Sequence, residues 1–245
     1  MKRRPQERHD RPSRKSAKFS HEVTTLLEDD AIVALDKPPG LLAVPIKGSS
    51  TPSAWSLLAA DLKQRRQRAF VVHRIDRFAS GILLFAKTPR DRDALVQQFL
   101  AHKPKREYLA VVRGSVEKNS GTLIHYFHRQ GMHQQLRTER DKHATKAELR
   151  YSVEKTFTEA TLIRVELVTG LQNQIRAQFA AIGHPLIGDR KYRPEEADES
   201  RIQRVALHAA QLQFQHPRTG EKVSVHSKPP ADFAQLLRAL ERARS

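Results

Sequence analysis

At 245 residues the chain can bury a core as one large domain or two small ones, and 38% apolar residues suffice for a solvated globular protein. Its 44 lysines and arginines exceed 27 acids by a formal +17, a field that attracts polyanions, nucleic acid first and an acidic membrane surface second. The absence of cysteine excludes disulfides, zinc–thiolate sites, iron–sulfur clusters and cysteine catalysis, and no apolar run approaches the ~20 residues of a membrane span.

The first twenty residues, "MKRRPQERHDRPSRKSAKFS", hold eight Lys/Arg against two acids and almost no large apolar side chain. They cannot bury enough surface to offset ordering entropy, so a disordered basic tail is expected over 1–20. No hydrophobic secretion signal is present, which points to the cytoplasm. "AIVALDKPPG" (31–40) predicts a strand stopped by Pro38-Pro39-Gly40. In "STPSAWSLLAADLKQRRQR", Pro52 behind Thr51 predicts a helix start, with Trp55, Leu58 and Leu62 on one face. Strands are expected at Phe70-Val71-Val72 and Ile82-Leu83-Leu84-Phe85, on either side of Asp76. Thr88-Pro89-Arg90-Asp91 reads as the capped start of a helix burying Leu95 and Phe99.

"REYLAVVRG" (106–114) predicts a strand ending at Gly114. In "TKAELRYSVE", Ala147, Leu149, Tyr151 and Val153 alternate with polar residues, and in 161–170 Ile163, Val165 and Leu167 repeat the pattern. A period of two marks sheet faces of the antiparallel kind. "QNQIRAQFAAIG" predicts a helix with Ile175, Phe179 and Ile182 inward and Gly183 as its C-terminal cap. "ALHAAQLQF" and "KVSVHS" form a hairpin through Pro217-Arg218-Thr219-Gly220, and "PADFAQLLRALERAR" is a closing amphipathic helix. The expected class is α+β: one domain over 21–245 on a largely antiparallel sheet with interspersed helices.

Neither G-x-x-x-x-G-K nor G-x-G-x-x-G is present, so no phosphate-cradling loop is expected. No nucleophile-elbow G-x-S-x-G occurs. His125, His128 and His133 invite a metal, but on a strand His125 and His128 point to opposite faces, so no metal is expected there. Asp76, in "HRIDRFASGILLFAK", sits between two apolar runs. It is either turn chemistry, paired with Arg74 or Arg77, or a nucleophile held on a rigid platform beside a cation.

That stretch resembles the H-R-L-D-x-x-T-S-G-L-L-L-F-A-K segment of RluA-type pseudouridine synthases, which isomerise uridines in RNA. "LDKPPGLLAVP" is similar to the family's early strand and loop, and "KREYLAVVRG" to its K-x-Y-x-A segment. "TGLQNQIRAQFAAIGHPLIGDRKY" and "ALHAAQLQFQHPRTG" resemble its two later blocks, in the same order. The resemblance implies the pseudouridine synthase fold and catalytic roles for Asp76, Tyr108 and Arg176: nucleophile or base, planar face and proton carrier, and the cation that keeps the carboxylate charged. It implies substrate contacts from Arg74, His73, Gln174 and Ile175, and needs neither cofactor nor metal. The family's small RNA-binding domain has no room ahead of residue 20, so recognition is expected to rest on the catalytic domain. Leu171, Asn173, Gln178 and Ala79 depart from the family pattern, removing possible phosphate or base contacts.

Partners implied are structured ribosomal or transfer RNA, with no membrane and a monomeric protein. Phosphate contacts are expected from 62–68, 103–106, Lys142, Lys146 and 190–193. Two alternatives stay open: a noncatalytic RNA-binding or ribosome-associated protein retaining the fold, and a nucleoside hydrolase using the same aspartate.

Overall fold

The computed structural model describes residues 22–131, 133–192 and 199–243, so the expected tail over 1–20 lies outside it. Strand β1 (Thr24–Glu28) turns at Asp29, whose carboxylate accepts from the Ala31 and Ile32 amides, into β2 (Ile32–Lys37). The chain leaves the sheet at Pro38, forms helix α1 (Ala54–Gln64), and returns through β3 (Phe70–Val71) and β4 (Ser80–Ala86). Every residue of β4 is buried, which is why it reads as an unbroken apolar run. Helix α2 (Pro89–Leu100) is capped by Thr88, whose hydroxyl accepts from the Asp91 amide, as expected.

Then follow β5 (Lys105–Arg113), β6 (Ser120–Gln130), β7 (His133–Arg137), β8 (Thr145–Thr156) and β9 (Ala160–Leu167). Helix α3 (Gln174–Ala181), β10 (Leu207–Gln215), β11 (Lys222–His226) and α4 (Ala231–Arg242) complete the order. Among the described residues these make one open eleven-stranded sheet, β1-β2-β4-β10-β5-β9-β8-β6-β7, with β3 on β4 and β11 on β10. All strand pairs are antiparallel except β10 with β4.

That parallel junction joins the two halves of the sheet. Ala209 pairs with Gly81 on one side and Tyr108 on the other, so Tyr108 lies two strands, about 10 Å, from the root of the Asp76 segment. Gly81 has φ +105°, and a Cβ there would run into the Ala209 carbonyl, so no other residue fits the crossing. One core packs α3 against β5, β8, β9 and β10 through Phe179, Ile175, Ile163, Val165 and Leu149, and includes Ile75. The other face of β5 packs on α4 through Val111, Phe233 and Leu236. No helix among the described residues is long and apolar enough to cross a membrane.

Three expectations shift. Ser53, not Thr51, caps α1, because its hydroxyl and that of Ser56 each accept from the other's amide, leaving Pro52 ahead of the cap. Residues 72–79 form a loop, so the strand before Asp76 ends at Val71. Helix α3 stops at Ala181, leaving Ile182 36% exposed rather than in the core, with Gly183 at φ +83° terminating the helix as expected.

Candidate active site

Asp76 lies in the 72–79 loop, and the loop is pinned from below. Lys37, fully buried at the end of β2, donates to the carbonyls of Arg77 (3.0 Å), Ala79 (2.7 Å), Pro38 (2.8 Å) and Leu41 (3.0 Å). The Gly40 amide donates to the Arg77 carbonyl at 2.9 Å, and Arg77 Nε returns a bond to the Gly40 carbonyl. Burial pulls the Lys37 ammonium down to about 7, with Arg204 adding to the drop and Asp76 opposing it. The four surrounding carbonyl oxygens favour the charged form, which alone supplies three donors. Lys37→Met should therefore cost about 3 kcal/mol or more of stability, read as the shift of a urea midpoint, and loosen the loop enough to slow turnover.

Across the loop, the first turn of α3 presents Arg176. Its Nη1 donates to Asp76 Oδ2 at 3.1 Å and to Asn173 Oδ1 at 3.1 Å. Its Nε and Nη2 form a two-pronged bond with Asp189, both at 2.7 Å. The Tyr192 ring lies 5.5 Å from the guanidinium carbon. Burial works against the Arg176 charge, but the hydrogen bonds and charge of Asp189, reinforced by Asp76, hold its pKa above the ordinary arginine value. Asp189, whose side chain is fully buried, also accepts from the Lys191 and Tyr192 amides. Gly188 precedes it at φ +73°, where a Cβ would strike the Arg204 carbonyl. Asp76 keeps 21% of its side chain exposed, and its Oδ1 has no partner among the described residues.

Asp76, Tyr108, Arg176, Arg74, His73, Gln174 and Ile175 all line one cavity of about 560 Å³, within the usual range of small-molecule sites. Apolar walls come from Ile75, Ala79, Phe99, Leu167 and Leu207. Tyr108 is buried on β5, and its hydroxyl pKa is pushed up by burial, with Arg106 opposing and Asp76 adding. Arg74 is exposed at the cavity mouth.

Two of the expected substrate contacts also hold the cavity wall together. Gln174 donates to the Glu148 carbonyl and Gln178 Oε1, and accepts from Thr169 Oγ1 and the Leu171 amide, so none of its polar positions is left for a ligand. It braces the 169–171 turn instead. His73 stacks on Phe99 at 4.7 Å and accepts from the Leu84 amide at 3.0 Å. Burial and, less, the Arg106 charge pull its pKa down to about 3. It is a neutral wall rather than a phosphate-binding cation. The native ring titrates below the ordinary value of about 6.5, so the unfolded chain binds the extra proton between these values. Stability should be full above about pH 6.5 and fall towards pH 3, and His73→Gln should remove that part of the slope in denaturant titrations.

Of the departures from the family pattern, Gln178 and Ala79 are buried, and Gln178 Nε2 donates to the Leu123 and Ala147 carbonyls. Gln178 thus alters packing, whereas Ala79 stands in the wall of the cavity. Asn173, at φ 56°, places its side-chain oxygen on Arg176 and faces the cavity. Among the expected phosphate contacts, Arg65, Lys105 and Lys146 form ion pairs with acids, and Arg106 is partly buried against the carbonyls of 167–169. Arg66, Arg68, Lys103, Lys142 and Arg190 are exposed, and Arg193 lies outside the described residues.

Lys37 and Asp189 were absent from the candidate residues, although both stand in the quoted blocks "LDKPPG" and "GHPLIGDRKY". A buried charge beside an expected catalytic residue is their only signal.

The fold has a solved counterpart in the human protein RNA Pseudouridylate Synthase Domain Containing 4, with a TM-score of 0.73 over 89% of this chain and 92% of that one, at 19% identity. Residues 31–181 match the family model described as RNA pseudouridylate synthase, and the chain belongs to that family. It is 36% identical over 223 residues to Ribosomal large subunit pseudouridine synthase D of Nitrosomonas europaea, covering 88% of this chain and 64% of that protein. An uncharacterized RNA pseudouridine synthase of Bacillus subtilis is 34% identical, over 88% of this chain and 72% of its own. The chain thus spans less than two thirds of the Nitrosomonas relative.

Proposed function

We propose that this chain, with 21–245 as one catalytic domain, isomerises uridine to pseudouridine in structured RNA as a cytoplasmic monomer, with large-subunit ribosomal RNA as its first target. The observation that carries the reading is the single cavity that gathers Asp76, Tyr108 and Arg176, with the carboxylate 3.1 Å from the guanidinium. The names of the relatives support ribosomal RNA as the substrate class.

Isomerisation breaks the N-glycosidic bond, turns the uracil and rejoins it to the ribose through C5. No group is gained or lost, so the reaction balances without a cofactor or energy source. The uridine must leave its stack to reach the cavity, at a cost of a few kcal/mol that is lowest in loops. Asp76 Oδ1 then acts as nucleophile on the sugar, with the logic of a retaining glycosidase, or as the base that opens a glycal route. Arg176 fixes the carboxylate's orientation through Oδ2. Tyr108 offers a planar face to the uracil and a hydroxyl that stays protonated, ready to move a proton during rejoining. The unspent Oδ1 favours this over a noncatalytic binder, which has no use for a carboxylate aimed into a cavity.

Carbodiimide mapping of total RNA from cells with and without the gene tests the proposal. At least one ribosomal uridine should lose its pseudouridine signal on deletion; an unchanged map contradicts the activity. Exposed cations at Arg66, Arg68, Lys103, Lys142 and Arg190 should make affinity fall steeply with salt, each neutralised phosphate adding about 0.7 to the log–log slope. A salt-independent affinity in filter binding contradicts phosphate contact.

A further inference from the structure

Four lysine or arginine side chains line the 560 Å³ cavity: Arg74, Arg106, Lys146 and Arg176. Three of them have their charge answered. Arg74 is exposed to water, Lys146 pairs with Glu148 at 2.8 Å, and Arg176 pairs with Asp76 and Asp189. Arg106 differs. It is partly buried on β5, two residues before Tyr108 and so on the same face of that strand.

Among the described residues, the groups that hold Arg106 are neutral. Its Nη2 donates to the carbonyls of Leu167, Val168 and Thr169 at 3.4, 3.2 and 3.1 Å. Its guanidinium carbon lies over the Phe99 ring, 5.9 Å from the centre. Nη1 sits against Gly170 in the cavity wall, where a Cβ would come within 2.7 Å of it. Nε is enclosed and has no acceptor. Asp76, the one acid in this wall among the described residues, is bonded to Arg176. Burial pulls the Arg106 pKa below the ordinary arginine value, with Tyr108 opposing, yet an arginine stays charged at neutral pH. A partly buried cation without an acid is costly to the folded state, and negative charge on a ligand would offset that cost.

We infer that Arg106 is a catalytic residue that stabilises the detached uracil as an anion, with Nη1 donating to a ring carbonyl. This rests on the cavity being the uridine site. When the C1′–N1 bond breaks, its electron pair stays with N1 and spreads onto the ring carbonyls. That holds whether C1′ has taken the Asp76 carboxylate or C2′ has given it a proton. On rejoining, C5 bonds to C1′ while the carboxylate leaves, or returns its proton to C2′. The C5 proton is then lost and N1 gains one, so the ring ends neutral. The negative charge exists only between cleavage and rejoining, and a fixed cation beside it lowers the barrier without gripping neutral uridine. Residues two apart on a strand stand about 7 Å from each other, so one base can meet the Tyr108 ring and the Arg106 guanidinium together.

The test compares wild type with Arg106→Gln, which loses the charge but keeps an amide able to donate to the 167–169 carbonyls, and with Arg106→Lys, which keeps the charge. Single-turnover rates and affinity are read on RNAs whose target is uridine or 5-fluorouridine. For the second, the rate is the loss of the N-glycoside, because fluorine blocks the final proton loss at C5. Fluorine also withdraws electrons, so that base leaves more easily and needs the cation less. Arg106→Gln should slow uridine about a hundredfold, the scale of one oxyanion donor, and 5-fluorouridine only about tenfold, with RNA affinity unchanged. Arg106→Lys should stay within about tenfold of wild type on both. Equal losses on the two bases would mean that Arg106 only braces the wall, and a loss confined to affinity would mean a phosphate contact; either overturns the inference. If wild type isomerises no RNA, the proposed function fails, and equilibrium dialysis with 5-nitrouracil, whose ring is an anion at neutral pH, decides the matter. Binding weakened roughly tenfold or more in Arg106→Gln upholds the anion site, and equal binding overturns it.

Discussion

Asp76→Asn should reduce isomerisation by about 10⁴-fold or more while RNA affinity stays within a few-fold. The substitution is nearly isosteric, and the amide oxygen can still accept from Arg176 Nη1, which holds the loop through a 3.1 Å bond. Lys37 grips the loop through backbone carbonyls of Arg77 and Ala79, and those bonds do not involve the 76 side chain. Folding and docking should therefore persist. What disappears is the negative charge and the nucleophilic Oδ1, and no other carboxylate lines the 560 Å³ cavity among the described residues. Single-turnover assays alongside filter binding separate the two effects. Retained turnover would remove Asp76 from the mechanism.

Arg176→Lys should come second, lowering turnover about a hundredfold, the scale expected when a reacting group shifts by about 1 Å. The guanidinium spreads three functions over one plane: the two-pronged bond to Asp189, the bond to Asp76 and the bond to Asn173. A lysine nitrogen is a point charge and cannot span both carboxylates in fixed directions. If it stays with Asp189, Asp76 swings free. If it moves to Asp76, the fully buried Asp189 is left without its ion partner, which typically costs 3–5 kcal/mol. The two cases part in the measurement: the first leaves the melting midpoint near wild type and the second lowers it, while turnover falls in both. Wild-type turnover would show that charge alone suffices beside Asp76.

The sheet was legible where one face is wet. Ala147, Leu149, Tyr151 and Val153 alternate with polar residues because β8 exposes one side, and the buried β4 announces itself as an unbroken apolar run. β1, reading TTLLE, and β7, reading HQQLR, carry no such pattern; they exist as edge partners of β2 and β6. The Asp76–Arg176 pair joins residues 100 positions apart, a contact that block order brought to notice and periodicity could not. Lys37 and Asp189 escaped because their roles are defined by what they touch: carbonyls 40 and 42 residues away for one, a guanidinium 13 residues back for the other. His73 and Gln174 line the cavity and also brace its wall through the Leu84 and Leu171 amides, a second role that no pattern in the sequence marks.

All of this depends on the carboxylate at 76 working on the sugar of an extruded uridine and returning the same base to it. Nucleoside analysis of ribosomal RNA incubated with the purified protein reads that step directly. The account expects uridine to decline, pseudouridine to rise by an equal amount, and no uracil to be released. Free uracil, or RNA unchanged under conditions where it binds, would contradict it.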